Sequence, residues 1–261
     1  MGYKLLEKQI MATSRGMLSK AWYVDDCGRK YLAKGNSIDG VRQGYEPFSE
    51  VIAYRVAKLL HLDAVEYVLE PKTMCPDVHT YGNMDFVSVC REFPITGQRL
   101  TFDTLMLTNG MIETDSFYAY MKLNLPIDYL CRLLTFDAFI GNADRHTNNI
   151  EFFLTNEGFI GTPIFDNGAS LLAWCDSRYV QSIKKGTKIY MDSSKPFKRT
   201  HTEQTKLLKR YFNYDSLFHV ENKDLFFDML FSSCSDVFSK MPAYRVNGIK
   251  NYLYNRRHFL D

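Results

Sequence analysis

The segment that most constrains the fold is GNADRHTNNIEFF (141–153), set between the apolar run PIDYLCRLLTFDAFI (126–140) and PIFDNGAS (163–170). The apolar run reads as a strong helix, and Gly141 stops it as a glycine at a helix C-terminus often does. IEFFL and FIGTPIF flank Thr155-Asn156-Glu157-Gly158 as the two strands of a hairpin. The polar residues therefore fall on a helix–loop–hairpin unit. Pairing within the hairpin is expected to bring Asn149 beside Asp166, at the end of the second strand, with Asp144 one turn away.

Taken singly, Asp and Asn in such a loop usually cap turns and helix ends. Taken as a set, they suit phosphoryl transfer. One carboxylate, Asp144, accepts the proton of an attacking hydroxyl, while Asn149 and Asp166 hold Mg²⁺ against phosphates. Hard oxygen ligands are what Mg²⁺ selects, with waters completing its shell. A lone His146 among carboxylates does not make a transition-metal site; it is expected to hydrogen-bond within the loop and fix Asp144. Arg145 either neutralises phosphate charge or pairs with a carboxylate.

Upstream, MLSKAWYV and RKYLAKG flank the turn Asp25-Asp26-Cys27-Gly28, and EPFSEVIAYRVAKLLHL has Phe48, Ile52, Val56, Leu59 and Leu60 at helical spacing. Two more strand-like runs follow at 64–70 and 85–93. Lys34 on the second strand and Glu50 near the start of the helix fit a strand Lys that contacts nucleotide phosphates and pairs with a helix Glu. The loop TSRGMLSKA (13–21) offers backbone amides and Gly16 for phosphates, with Ser19 and Lys20 at its end. Its single glycine matches neither a Walker A loop nor Gly-x-Gly-x-x-Gly.

After Phe93 the pattern turns helical: 102–123 with a break near Asn109-Gly110, then 126–140, then three further helical stretches beyond residue 202. Residues 171–202 read as polar and irregular. The expectation is an α+β, two-lobed chain, with a β-rich lobe at 1–93 and a helical lobe at 94–261. The basic run KKGTKIYMDSSKPFKR (184–199) is either a substrate platform or a solvated loop.

Composition removes several classes. The 261 residues are 46% hydrophobic, which rules against global disorder, and the net charge of +2 rules against a protein held mainly by nucleic-acid phosphates. No run approaches the roughly 20 apolar residues of a membrane helix. The N-terminus has no secretory apolar region. Leu6 stands where a myristoylation motif wants Ser or Thr. Six scattered cysteines without a Cys-x-x-Cys pair read as reduced, mostly buried thiols in a cytoplasmic protein.

GNADRHTNNI with its following FDNG, the YLAKG strand, the FSEVIAYRVAKLLHL helix and the loop ending in Ser19-Lys20 resemble the HipA-like branch of the protein-kinase-like superfamily. Asp-Arg-His-x-x-Asn-Ile is also similar to the catalytic loop of phosphoinositide lipid kinases. The resemblance covers about residues 13 to 170. It implies a protein-kinase-like fold and an ATP- and Mg²⁺-dependent Ser/Thr protein kinase with Asp144 as base and Asn149 and Asp166 as metal ligands. Lys34 would meet the nucleotide phosphates, with Glu50 as its partner, and Cys90 to Phe93, Glu92 included, would form the hinge at adenine. Ser14 and Ser19 are the implied autophosphorylation positions. The implied partners are a protein substrate, translation-related in several relatives, and a small antitoxin. Neither direct nucleic-acid nor membrane binding is implied. A lipid or small-molecule kinase and a nucleotide-binding pseudokinase are the alternatives.

Overall fold

The computed structural model describes residues 4–5, 18–39, 42–94, 96–112, 116–190, 192–212 and 217–261. Strands β1 (Lys4–Leu5), β2 (Lys20–Val24) and β3 (Lys30–Lys34) run antiparallel. Asp25 builds the turn between the last two, its Oδ1 accepting the N–H groups of Cys27 and Arg29. Gly28 takes the left-handed conformation at φ +75° that this turn requires. A hairpin of β4 (Ile38–Asp39) and β5 (Arg42–Gln43) follows, too short to register in the sequence pattern. Helix α1 (Glu46–Leu59) begins with Pro47 in its first turn, where a missing N–H costs nothing. Strands β6 (Tyr67–Pro71) and β7 (Phe86–Arg91) complete a five-stranded sheet in the order β1-β2-β3-β7-β6, with α1 against β6 and β7.

A second sheet, in the order β10-β9-β8, contains β8 (Gln98–Thr101), β9 (Glu151–Thr155) and β10 (Gly158–Gly161). The helices between are α2 (Phe102–Thr108), α3 (Ser116–Lys122) and α4 (Ile127–Ile140). All of α4 from Leu133 to Ile140 is buried, as a helix apolar nearly all round must be. Gly141 caps it at φ +67°. Residues 171–202 are more ordered than expected: Asp176 caps α5 (Ser177–Ser182), accepting the Tyr179 N–H, and α6 (His201–Phe212) starts within the same stretch. Then come α7 (Lys223–Ser233), α8 (Ser235–Phe238) and α9 (Ala243–Asn255).

One hydrophobic core runs from Phe48 and Ile52 of α1 through Phe136 and Phe139 of α4 to Leu253 and Leu260. Cys27 is exposed and the other five thiols are buried, all of them free. Among the described residues no helix is long and apolar enough to cross a membrane.

Candidate active site

Lys34 ends β3 directly opposite Lys20 on β2. Opposed residues on antiparallel strands share a face, with Cβ atoms about 5 Å apart, so the two ammonium groups lie on the same side of the sheet. Lys34 is buried and donates to Glu50 Oε1 at 2.8 Å, to Asp166 Oδ1 at 2.7 Å and to the Tyr67 hydroxyl at 3.1 Å. The other Glu50 oxygen accepts the Asn167 N–H at 2.8 Å. Burial alone would lower the Lys34 pKa; the Asp166 and Glu50 carboxylates more than offset it and hold the ammonium well above its ordinary value. Lys20 has its pKa lowered, by burial and by the neighbouring Lys34, against the pull of Asp166.

Asn149 Nδ2 donates to Asp166 Oδ2 at 2.7 Å, so both oxygens of Asp166 are engaged. The two residues meet as expected but not by the expected route. Strand β10 ends at Gly161, and the ladder closes with Thr162 N–H on Glu151 O. Ile164 then pairs with Ala64 instead. Asp166 lies beyond the hairpin at φ +59°, a left-handed conformation that Asp tolerates better than most residues and that aims its carboxylate at Lys34. Burial would raise the Asp166 pKa, but Lys34, then Arg145 and Lys20, hold it at about 2. It is an anion at any ordinary pH.

The donor set fits Mg²⁺ in a phosphate complex. Asp166 and the Asn149 amide offer hard oxygens and too few of them to cage a cation alone. Among the described residues no cluster of three His, Cys, Asp or Glu side chains is placed to hold a metal. Mg²⁺ characteristically takes one or two protein oxygens and completes its shell with waters and phosphate.

Asp144 follows the helix end, its N–H donating to Asn142 Oδ1 at 3.2 Å. Its side chain is half-exposed, and Oδ1 accepts Lys195 Nζ at 2.7 Å. Arg145, the chain neighbour of Asp144, is fully buried. It grips Asp137 of α4 in two bonds of 2.8 and 3.0 Å and donates to Asn149 O, Phe165 O and Asn167 Oδ1. Of the two roles open to it, it takes carboxylate pairing and is too enclosed to reach a phosphate. His146 hydrogen-bonds within the loop, through its main chain. His146 N–H donates to Asp144 O, and its carbonyl accepts the Asn149 N–H. The imidazole has no hydrogen-bond partner among the described residues, so the support is main-chain.

Cys90 packs its thiol into the core beside Tyr67, where burial pushes it up to about 11, leaving only its main chain to meet a ligand. Glu92 N–H donates to Lys30 O and its carboxylate lies 3.9 Å from Lys30. The Phe93 ring is 6.3 Å from that of Phe165, next to Asp166, with the Arg99 guanidinium 4.7 Å over it. Ser19 Oγ accepts the His79 N–H at 2.8 Å. Ser14 and Gly16 lie outside the described residues.

Three residues escaped the sequence reading. Asp137 was hidden in an apolar helix, where a lone carboxylate is itself a sign of a buried partner. Lys195, 51 residues from Asp144, was one cation among several in a basic run. Buried Arg245 of α9 donates to Leu172 O and Cys175 O, pinning the chain after Asp166, where Leu171 and Leu172 both have positive φ.

This arrangement of sheet, helix, loop and hairpin matches solved structures over nearly its whole length. The proinflammatory kinase CtkA of Helicobacter pylori is similar at a TM-score of 0.65 and 17% identity, over 99% of this chain and 93% of that one. The fold is protein-kinase-like. A Golgi casein kinase matches at a TM-score of 0.55 and 12% identity, over 99% of this chain and 71% of the other. A Fam20 protein from hydra, solved with sugar, matches at 0.50 and 14%, over 95% and 82%. No protein-family model and no curated protein sequence matches the chain. At these identities the likeness describes the backbone and assigns no residue a role, nor does it single out the HipA-like branch.

Proposed function

We propose that the chain is a phosphotransferase: an ATP- and Mg²⁺-dependent kinase of HipA-like type that phosphorylates Ser or Thr hydroxyls of proteins, its own included. The observation that carries the reading is the continuous chain of contacts Glu50–Lys34–Asp166–Asn149, which brings a strand, a helix and two loops to one point. A buried ammonium held between two carboxylates, with a second lysine opposite it, suits a polyphosphate better than it suits stability. Replacing such a buried set with apolar residues is often neutral or stabilising. We place the lobe boundary near Phe93, with the nucleotide between 1–93 and 94–261.

In this reading Lys34 and Lys20 bind phosphate oxygens, and Asp166 and Asn149 hold the metal. Mg²⁺, when bound, neutralises the phosphate charge. Asp144 accepts the acceptor hydroxyl's proton on the oxygen that Lys195 leaves open. Lys195, at 2.7 Å from the other oxygen, keeps that carboxylate oriented. Arg145 acts through position, tying the Asn149 and Phe165 carbonyls to α4. Phosphorylation of Ser19 requires release of its hydrogen bond from His79.

Intact-mass spectrometry after incubation with ATP and Mg²⁺ tests this. Wild type is expected to gain phosphate, while Asp144→Ala slows the gain by roughly 10²–10⁴-fold, the usual worth of a general base. Asp166→Ala is expected to abolish the gain together with metal-dependent nucleotide binding. Unchanged phosphorylation in Asp144→Ala removes that residue from its role.

A further inference from the structure

The positive charge of the chain is concentrated in one stretch. Residues 177–212 hold ten Lys and Arg side chains against two carboxylates, Asp192 and Glu203, in a protein whose overall charge is +2. Both acids are engaged internally. Asp192 accepts from Thr202 and pairs with Arg256 at 2.9 Å, and Glu203 accepts from the Thr200 hydroxyl.

The middle of this stretch is a built turn. Ser194 donates its N–H to Arg199 O and its hydroxyl to Lys198 O, both at 2.9 Å. Buried Gln204 accepts the Phe197 N–H and donates to Lys195 O. The Phe197 ring packs on those of Phe102, Phe117 and Tyr120. Lys195 reaches Asp144 from this turn. Lys198 and Arg199 are exposed, and neither has a carboxylate partner among the described residues. With Pro196, Phe197 and Glu203 they line an open groove of about 470 Å³.

We propose that this turn is the acceptor-side substrate platform, and that it selects polypeptide segments whose acceptor hydroxyl is flanked by anionic side chains. The inference rests on the phosphotransferase reading and adds the substrate class. A hydroxyl seated at Asp144 sets its neighbours, about 3.3 Å apart along an extended chain, beside Lys195, and Lys198 and Arg199 follow three and four residues later in the same turn. Anionic neighbours complement those cations, and basic neighbours are repelled. The small groove, walled in part by Pro196 and Phe197, suits a strand bearing side chains. Nucleic acid is held instead by many phosphate contacts spread over a basic face.

The test offers Ser-acceptor peptides of one length, flanked by Glu, phosphoserine, Ala or Lys, with ATP and Mg²⁺, to wild type and to Lys198→Glu/Arg199→Glu. In wild type, kcat/KM for an anionic peptide is expected to exceed that for the Lys peptide about tenfold, a preference that shrinks as salt screens it. Charge reversal is expected to invert the order, and a ratio taken within one variant is unaffected by the fraction folded. The better of the Glu and phosphoserine arms identifies the source of the negative charge. Equal rates for all peptides, or a preference that survives charge reversal, overturns the proposal. So does a single-stranded oligonucleotide that inhibits where the Glu peptide does not compete. ATP binding is followed by calorimetry on the same samples. Nucleotide bound with no peptide phosphorylated overturns the platform alone; neither binding nor transfer overturns the phosphotransferase reading as well.

Discussion

Arg145 spends all five of its N–H donors inside the protein, on Asp137, Asn149, Phe165 and Asn167. A lysine has three donors on a point charge and cannot span that set. Arg145→Lys keeps the charge beside Asp137 but is expected to cost roughly 1–3 kcal/mol for each buried acceptor it leaves unpaired, seen as a lower urea midpoint. Lys195 makes the opposite kind of ion pair, with both side chains well exposed. Its replacement by Met is expected to shift stability by less than about 1 kcal/mol. Equal midpoints for the two variants would show that the guanidinium does not hold the loop.

At the scale of elements, the junction of α4 with the loop that carries Asp144 is set by Gly141. Its φ of +67° disfavours any side chain, and a Cβ there would lie 1.8 Å from the Tyr252 hydroxyl oxygen. Gly141→Ala is expected to destabilise by about 2–4 kcal/mol, combining left-handed strain with displacement of a buried ring. Adding Tyr252→Phe should recover part of the loss by urea denaturation, and no recovery would place the whole cost in the backbone. This helix end was legible in the sequence because apolar periodicity and a stop glycine are local. So were the turn at Asp25 to Gly28 and the pairing of Lys34 with Glu50. Strand β8 was not, because Gln-Arg-Leu-Thr owes its conformation to pairing with β9. Nor was the place of Asp166, which leaves the hairpin and turns left-handed under tertiary contacts. For Arg145 the sequence left two roles open and the fold chose carboxylate pairing, while Lys195 was missed because its partner lies 51 residues away.

At the scale of the molecule, one core cluster and the Arg55–Asp236 ion pair join α1 to the C-terminal helices, so acid-sensitive groups far from Lys34 and Asp166 act on the whole fold. His201, first residue of α6, is buried with both ring nitrogens unpartnered among the described residues. Burial, reinforced by Arg256 and partly opposed by Asp192, lowers its pKa to about 3. The unfolded chain takes up that proton near pH 6.5 and the native chain does not, so stability falls as pH drops from about 6.5 towards 3. Asp166, held at about 2, acts in a lower window: its contribution is complete above about 3.8 and is lost as pH falls through the native value. The two windows are separable. Unfolding free energies from urea titrations between pH 7 and 4.5 are expected to decline in wild type with a slope of up to about 1.4 kcal/mol per pH unit for the one proton. In His201→Leu the slope should flatten whatever the midpoint at neutral pH, because the readout is the pH dependence and not the absolute stability. A slope unchanged in that variant would assign the acid sensitivity of the fold to another group.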